Sequence, residues 1–164
     1  MSTLFIYYSK GGRTDLVAKT LAKHLNGDLV RIHDVKKRPK FGNKLISSIN
    51  AFRETKTDIV PAKVDLSNYD TIYFGTPTWA GNPTPAIITI IDRCNLTGKD
   101  VILFATMDGN RGDSNIKRLE EKVKLRGARV IETFAISTKD KRPEQLVKDT
   151  EAIIEMKDLK MYKR

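Results

Sequence analysis

The sequence predicts an α/β fold: a single domain, 1–164, built on a five-stranded parallel sheet with helices on both faces. Three observations carry this. Five short runs of apolar and β-branched residues recur along the chain. A helical repeat of apolar residues lies between each run and the next. And 40% of the 164 residues are hydrophobic, enough for one core in a chain of single-domain length. Strands that alternate with helices imply parallel pairing, because each parallel connection needs a crossover long enough to hold a helix.

The elements follow in order. Leu4-Phe5-Ile6-Tyr7-Tyr8 is apolar throughout, the pattern of a strand buried on both faces. It lacks the basic lead and long apolar stretch of a secretory signal. Val17, Leu21 and Leu25 repeat every four residues and predict a helix over 14–25, stopped by Asn26-Gly27. Residues 29–32 make a short second strand. The basic run Lys36-Lys37-Arg38-Pro39-Lys40 precedes Phe41, Leu45, Ile49 and Phe52, whose spacing predicts an amphipathic insert helix over about 41–54. A loop with Pro61 leads to the third strand, 71–75. Thr84-Pro85 supplies an N-cap and a first turn for the helix bearing Ile87, Ile88, Ile90 and Ile91. The fourth strand is 101–105. Asp113 or Ser114 caps the next helix, with Ile116, Leu119 and Val123 inward, and Gly127 falls at its C′ position. Residues 129–136 read as a mostly buried fifth strand. Pro143 opens a last helix that turns Leu146, Val147, Thr150, Ile153 and Ile154 inward, and the basic tail, 157–164, is expected to fray.

Composition narrows the function classes. Lys and Arg number 30 against 20 Asp and Glu, a net charge of +10. That charge suits an anionic partner, and equally a solvated basic surface. Cys94 is the only cysteine, which excludes an intrachain disulfide and a four-cysteine zinc or iron–sulfur site. It is read as a small packed residue, and the thrift with cysteine fits a reducing, cytoplasmic compartment. His24 and His33 have no partner at metal-ligand spacing, so no resident metal is expected. No apolar run approaches the ~18 residues of a membrane span.

In open α/β sheets ligands bind beyond the carboxyl ends of the strands. Three loops there hold the unusual residues. The first is Ser9, Lys10, Gly11, Gly12, Arg13 and Thr14, running from a strand straight into a helix N-terminus. Two glycines let the backbone approach a ligand, two hydroxyls donate, two cations attract, and the helix dipole adds roughly half a positive charge. This is phosphate-binding chemistry. It is neither a Walker A loop nor a GxGxxG fingerprint, and it holds no nucleophilic cysteine. The second loop, with Pro77, Thr78, Trp79, Ala80 and Gly81, presents the only Trp on a proline-stiffened segment, suited to a flat ring. The third, with Thr106, Met107, Asp108, Gly109, Asn110 and Gly112, offers polar groups for the edge of such a ring, or is a plain strand-to-helix turn.

These loops, in this order, resemble the flavodoxin family. Ile6, Tyr7, Ser9, Gly12, Thr14, Ala18 and Leu21 match its first signature, with Gly11 and Arg13 standing where many members carry Thr and Asn. The run Gly75-Thr76-Pro77-Thr78-Trp79-Ala80-Gly81 is similar to a second family motif. The resemblance implies a flavodoxin-like three-layer sandwich of the short-chain type, with strand order 2-1-3-4-5. It implies non-covalent FMN. Ser9 to Thr14 would hold the phosphate, Pro77 to Gly81 one side of the ring with Trp79 nearest, and Thr106 to Gly112 the other. A carbonyl near Ala80-Gly81 would meet the reduced ring. No residue would act as a catalytic acid or base.

Electron-carrier flavodoxins are acidic, whereas this chain is basic, so a carrier of this charge implies an acidic redox partner. The run from Lys36 to Lys40 and the C-terminal tail are the expected docking surfaces. Two other readings stay open: an NAD(P)H-dependent FMN reductase of quinones or other small molecules, and a non-redox nucleic-acid-binding protein. The second has the net charge but no nucleic-acid motif behind it.

Overall fold

β1 (Ser2–Tyr8) is buried from Thr3 onward, and its side chains alternate between two cores. Leu4, Ile6 and Tyr8 join one and Phe5 and Tyr7 the other, the two-residue period of a central strand. The computed structural model describes residues 2–35 and 58–162. The expected insert helix over about 41–54 and the run from Lys36 to Lys40 lie outside the described residues.

After β1 come α1 (Arg13–Leu25), β2 (Asp28–Asp34), β3 (Ile59–Val60), β4 (Tyr69–Pro77), α2 (Pro85–Asp92), β5 (Asp100–Met107), α3 (Gly112–Leu125), β6 (Arg129–Ser137) and α4 (Pro143–Met156). The sheet order is β3-β2-β1-β4-β5-β6. Five strands are parallel in the expected order, with helices on both faces, and the fold is flavodoxin-like. β3 is an addition to the expectation. It runs antiparallel to β2, pairing Val60 with His33 and Ile59 with Asp34. Pro61 follows at once and brings no N–H to continue the ladder, and two residues are too few to show a period.

One core lies under α2 and α3, where Ile87, Ile90, Leu119 and Val123 meet Leu4, Ile72, Phe74 and Leu103. The other lies under α1 and α4, where Val17, Leu21, Leu146 and Ile154 meet Phe5, Tyr73, Ile102 and Phe104. On β4, Gly75 pairs in register with Phe104 of β5. A Cβ there would sit 2.1 Å from Cζ of Phe104, whose ring lies across the glycine and stacks toward Phe134 at 5.7 Å.

Several local expectations change in detail. Thr84 is the N-cap residue of α2, but its hydroxyl pairs with Thr76 Oγ1 at 3.0 Å instead of capping the helix. α3 starts at Gly112, with Arg111 in the N-cap position rather than Asp113 or Ser114. Gly127 takes the C′ position with φ +93° and donates its N–H to Lys124 O. β6 is less buried than expected. It is a sheet edge, and only Phe134 and Ile136 are buried.

The tail does not fray over its first turn. Lys157 pairs with Glu132 at 3.1 Å and Lys160 with Glu155 at 3.0 Å. A short 3-10 turn, Leu159–Tyr162, drives Leu159 fully into the core of α1 and α4. Leu159→Ala should therefore destabilise the fold by about 2–5 kcal/mol, the range for a buried leucine deleted to leave a cavity. Urea unfolding monitored by circular dichroism measures it; a loss below about 0.5 kcal/mol, typical of a surface position, would contradict this packing.

Candidate functional site

At the carboxyl end of β1 the backbone leaves the sheet through Ser9 and enters α1. Ser9 Oγ accepts the N–H groups of Gly12 and Asp15, both at 3.1 Å, so the loop is closed by the serine's lone pairs and not by its hydrogen. Gly12 is the N-cap with φ +92°, a left-handed conformation that favours glycine. A Cβ at Gly11 or Gly12 would meet no atom within 4 Å, so their backbone stays open to a ligand.

A charged cluster stands behind this loop. Arg31 of β2 donates to Ser9 O at 2.8 Å and lies 3.6 Å from Asp15, which also pairs with Lys19 at 2.9 Å and accepts the Tyr7 hydroxyl. Burial alone would raise the Asp15 carboxyl. The Tyr7 and Lys19 hydrogen bonds and the charges of Lys19 and Arg31 outweigh it and hold the group below the ordinary range. Burial, then the Asp15 hydrogen bond, push the Tyr7 phenol well up, so it stays a donor.

The loop after β4 is held to β5. Thr78 donates both its N–H and its hydroxyl to Thr106 O at 2.9 Å. Asn115 of α3, fully buried, donates to Pro77 O at 3.2 Å and to Thr78 Oγ1 at 2.9 Å. Trp79 and Asn82 exchange both backbone hydrogen bonds at 3.0 Å, leaving a two-residue turn. Ala80 and Gly81 there have φ of 51° and 77°, positive at both positions as a type I′ turn requires. The turn presents Trp79, which packs edge-on to Tyr8 at 5.7 Å and carries Lys10 Nζ 5.7 Å above its ring.

On the far side, Thr14 Oγ1 meets Thr106 Oγ1 at 2.7 Å, joining α1 to β5. Arg13 donates to Thr138 O and lies 3.6 Å from Asp108, which also accepts the Thr138 hydroxyl at 3.0 Å. Between these three walls is an open cleft of about 590 Å³, within the range of small-molecule sites.

A profile described as Flavodoxin matches residues 2–148. The chain belongs to the flavodoxin family. Solved structures agree in fold. A flavoprotein in complex with FMN from Lactobacillus acidophilus NCFM is 23% identical, with a TM-score of 0.69 over 82% of this chain and 92% of that one. A provisionally assigned flavoprotein from Bacteroides uniformis ATCC 8492 is 25% identical, with a TM-score of 0.75 over 92% and 97%. Oxidised flavodoxin 1 from Bacillus cereus is 20% identical, with a TM-score of 0.56 over 94% and 98%. No curated protein matches the sequence.

Of the expected contact residues in this flavodoxin, Ser9, Lys10, Gly11, Arg13, Thr14, Pro77, Thr78, Trp79, Thr106, Met107 and Asp108 line the cleft. Gly12, Ala80, Gly81, Gly109, Asn110 and Gly112 are not among the lining residues. Gly12 shapes the helix start, and Ala80 and Gly81 form the turn that holds Trp79. The Ala80 carbonyl already accepts Asn82 Nδ2 at 2.9 Å. Gly109 and Asn110 are exposed. Gly112 is buried for packing: a Cβ would fall 2.7 Å from Met107 Sδ and 2.9 Å from Ala135 Cβ.

Thr138, outside the three loops singled out in the sequence, also lines the cleft. Its signal in the sequence is its place directly after β6, at the carboxyl end of a strand. Arg31 and Asn115 carry no local signal, since each acts on a loop distant in sequence.

Cys94 is buried, and burial pushes its thiol up to about 11, the character of a packing residue. Among the described residues no group of three or more His, Cys, Asp or Glu is arranged to hold a metal, and no helix is long and apolar enough to cross a membrane.

The Asp15 cluster has a pH signature. A carboxyl held below its ordinary 3.8 stabilises the fold while ionised; the contribution is complete above that value and is lost as pH falls through the folded-state value. The stability advantage of the native chain over Asp15→Asn should accordingly be largest near neutrality and shrink on acidification toward pH 3. Urea midpoints at a series of pH values measure this, and an advantage that grows toward acid would reverse the assignment.

Proposed function

We propose that this flavodoxin binds FMN non-covalently and carries electrons between protein partners. The observation behind the reading is the two-ended chemistry of the cleft. At one end lie the start of α1, the open backbone of Gly11 and Gly12, the Ser9 hydroxyl, and the cations of Lys10 and Arg13. That is an anion site on a helix N-terminus, and it suits a phosphomonoester. At the other end Trp79, Pro77 and Met107 give apolar walls for a flat ring. The FMN complex of the similarly folded Lactobacillus protein supports the same ligand.

The residues present fit the group. Ser9, Lys10, Gly11, Gly12, Arg13 and Thr14 would hold its phosphate. Thr78 and Trp79 would line one side of the ring, and Thr106, Met107 and Asp108 the other. When bound, the flavin supplies the electron chemistry, and the protein supplies binding, orientation and electrostatics. Trp79 and Pro77, both half-buried, would shield the ring from water on the β4 side.

The partner reading rests on charge. Lys10 at the cleft, with Arg111 and Lys139 beside its flanking loops, is exposed, and the whole chain carries +10. Exposed Asp108, Asp113 and Asp140 share these loops, so it is the net charge of the whole chain that favours an acidic redox protein. In the tail, Lys157 and Lys160 pair with Glu132 and Glu155, and Lys163 and Arg164 lie outside the described residues.

Titration of the apoprotein tests the cofactor. FMN should quench the emission of Trp79, the only tryptophan, and bind at least about tenfold more tightly than riboflavin, the least that a single charge-assisted phosphate contact provides. A chain that binds neither flavin would overturn the reading. Electron transfer with an acidic acceptor such as a ferredoxin should slow steeply between low and physiological salt. A salt-independent rate argues against the acidic partner, and rapid reduction by NADPH alone makes the protein a reductase instead.

A further inference from the structure

We infer that Arg31, which stands on β2 and outside the phosphate loop, is a positioning residue that sets how tightly the loop holds a phosphate group. The inference rests on the FMN reading above and assigns a role that neither loop motif contains.

Arg31 acts on the loop at two points. Its Nη2 donates to the Ser9 carbonyl at 2.8 Å. The peptide joining Ser9 to Lys10 is planar, and in the trans form its C=O and N–H point in opposite directions. Fixing the carbonyl on Arg31 therefore aims the Lys10 N–H away from Arg31. A rotation of that one peptide would exchange a donor for an acceptor, and an acceptor repels a phosphate. The other face of the same residue is already tied, since Ser9 Oγ closes the loop on Gly12 and Asp15. Arg31 completes the clamp from the neighbouring strand.

The second point is charge. Asp15 lies in the first turn of α1, where its carboxylate would repel a dianion bound at the helix start. Arg31 Nη1 stands 3.6 Å from Asp15, next to Lys19 at 2.9 Å and the Tyr7 hydroxyl. With Arg31 gone, Asp15 keeps one cation and the loop loses one. Lysine is no substitute, because a point charge on a flexible stem does not span two acceptors as a planar guanidinium does.

Both effects act on the phosphate and neither acts on the ring, so riboflavin is the internal control. FMN and riboflavin dissociation constants are measured on the folded apoprotein for the native chain, Arg31→Gln and Arg31→Lys. Arg31→Gln should weaken FMN at least about tenfold while riboflavin changes less than about twofold, and Arg31→Lys should fall between. An unchanged FMN constant overturns the inference. So does an equal loss for both flavins, which is what a merely structural role gives. If Arg31→Gln does not fold, the FMN-to-riboflavin ratio of Arg31→Lys decides in the same way. A native chain that shows no preference for FMN strikes at the FMN reading itself, whatever the variants do.

Discussion

The adjacency of β1 and β4 is the constraint on which the site depends. β1 pairs with β2 on one side and with β4 on the other, Phe5 opposite Tyr73 and Tyr7 opposite Gly75. The chain leaves β1 through α1, which covers one face, and leaves β4 through α2, which covers the other. Two neighbouring strands thus send their loops to opposite faces, and a crevice opens between the loop roots. Those roots do not drift, because β1, β4 and β5 are buried along nearly all of their length. The position of the cleft is a property of the winding; its chemistry is added by the loops.

A seam of hydroxyl groups then holds the loops to one another. Thr14 pairs with Thr106, Thr76 with Thr84, Thr78 reaches the carbonyl of Thr106, and Thr138 reaches Asp108. Most of these groups are buried, and buried polar groups are stable only when satisfied. By bonding mainly to one another they tie α1, β4, β5 and β6 at the ends where the cleft lies. Each hydrogen bond contributes only about 1 kcal/mol net, yet leaving a partner unpaired costs more, so the seam acts as a unit.

Much of this was legible in the sequence wherever cause and effect lie close along the chain. The central strands announced themselves by unbroken apolar runs, and the phosphate loop by glycines and hydroxyls between a strand and a helix. What escaped depends on partners far apart. β3 exists because β2 offers an edge. Leu159 reads as part of a basic tail because Leu159, Met161 and Tyr162 among five charged residues are too few to set a period, and only the packing of α1 against α4 makes a socket for it. β6 reads as buried from its residues, but its place at the edge exposes it. Arg31 meets Ser9 across 22 residues, and Asn115 meets Pro77 across 38, distances at which no motif operates.

The Phe104 ring lying over Gly75 has a consequence for how this chain can diverge. The Phe104 ring fills the space that any side chain at Gly75 would need. The two positions therefore form an epistatic pair. A larger residue on β4 requires the ring on β5 to shift or be shortened, and shortening the ring first leaves a hole in the core under α1 and α4. Either order of change passes through a less well packed chain, so the two positions are expected to change together.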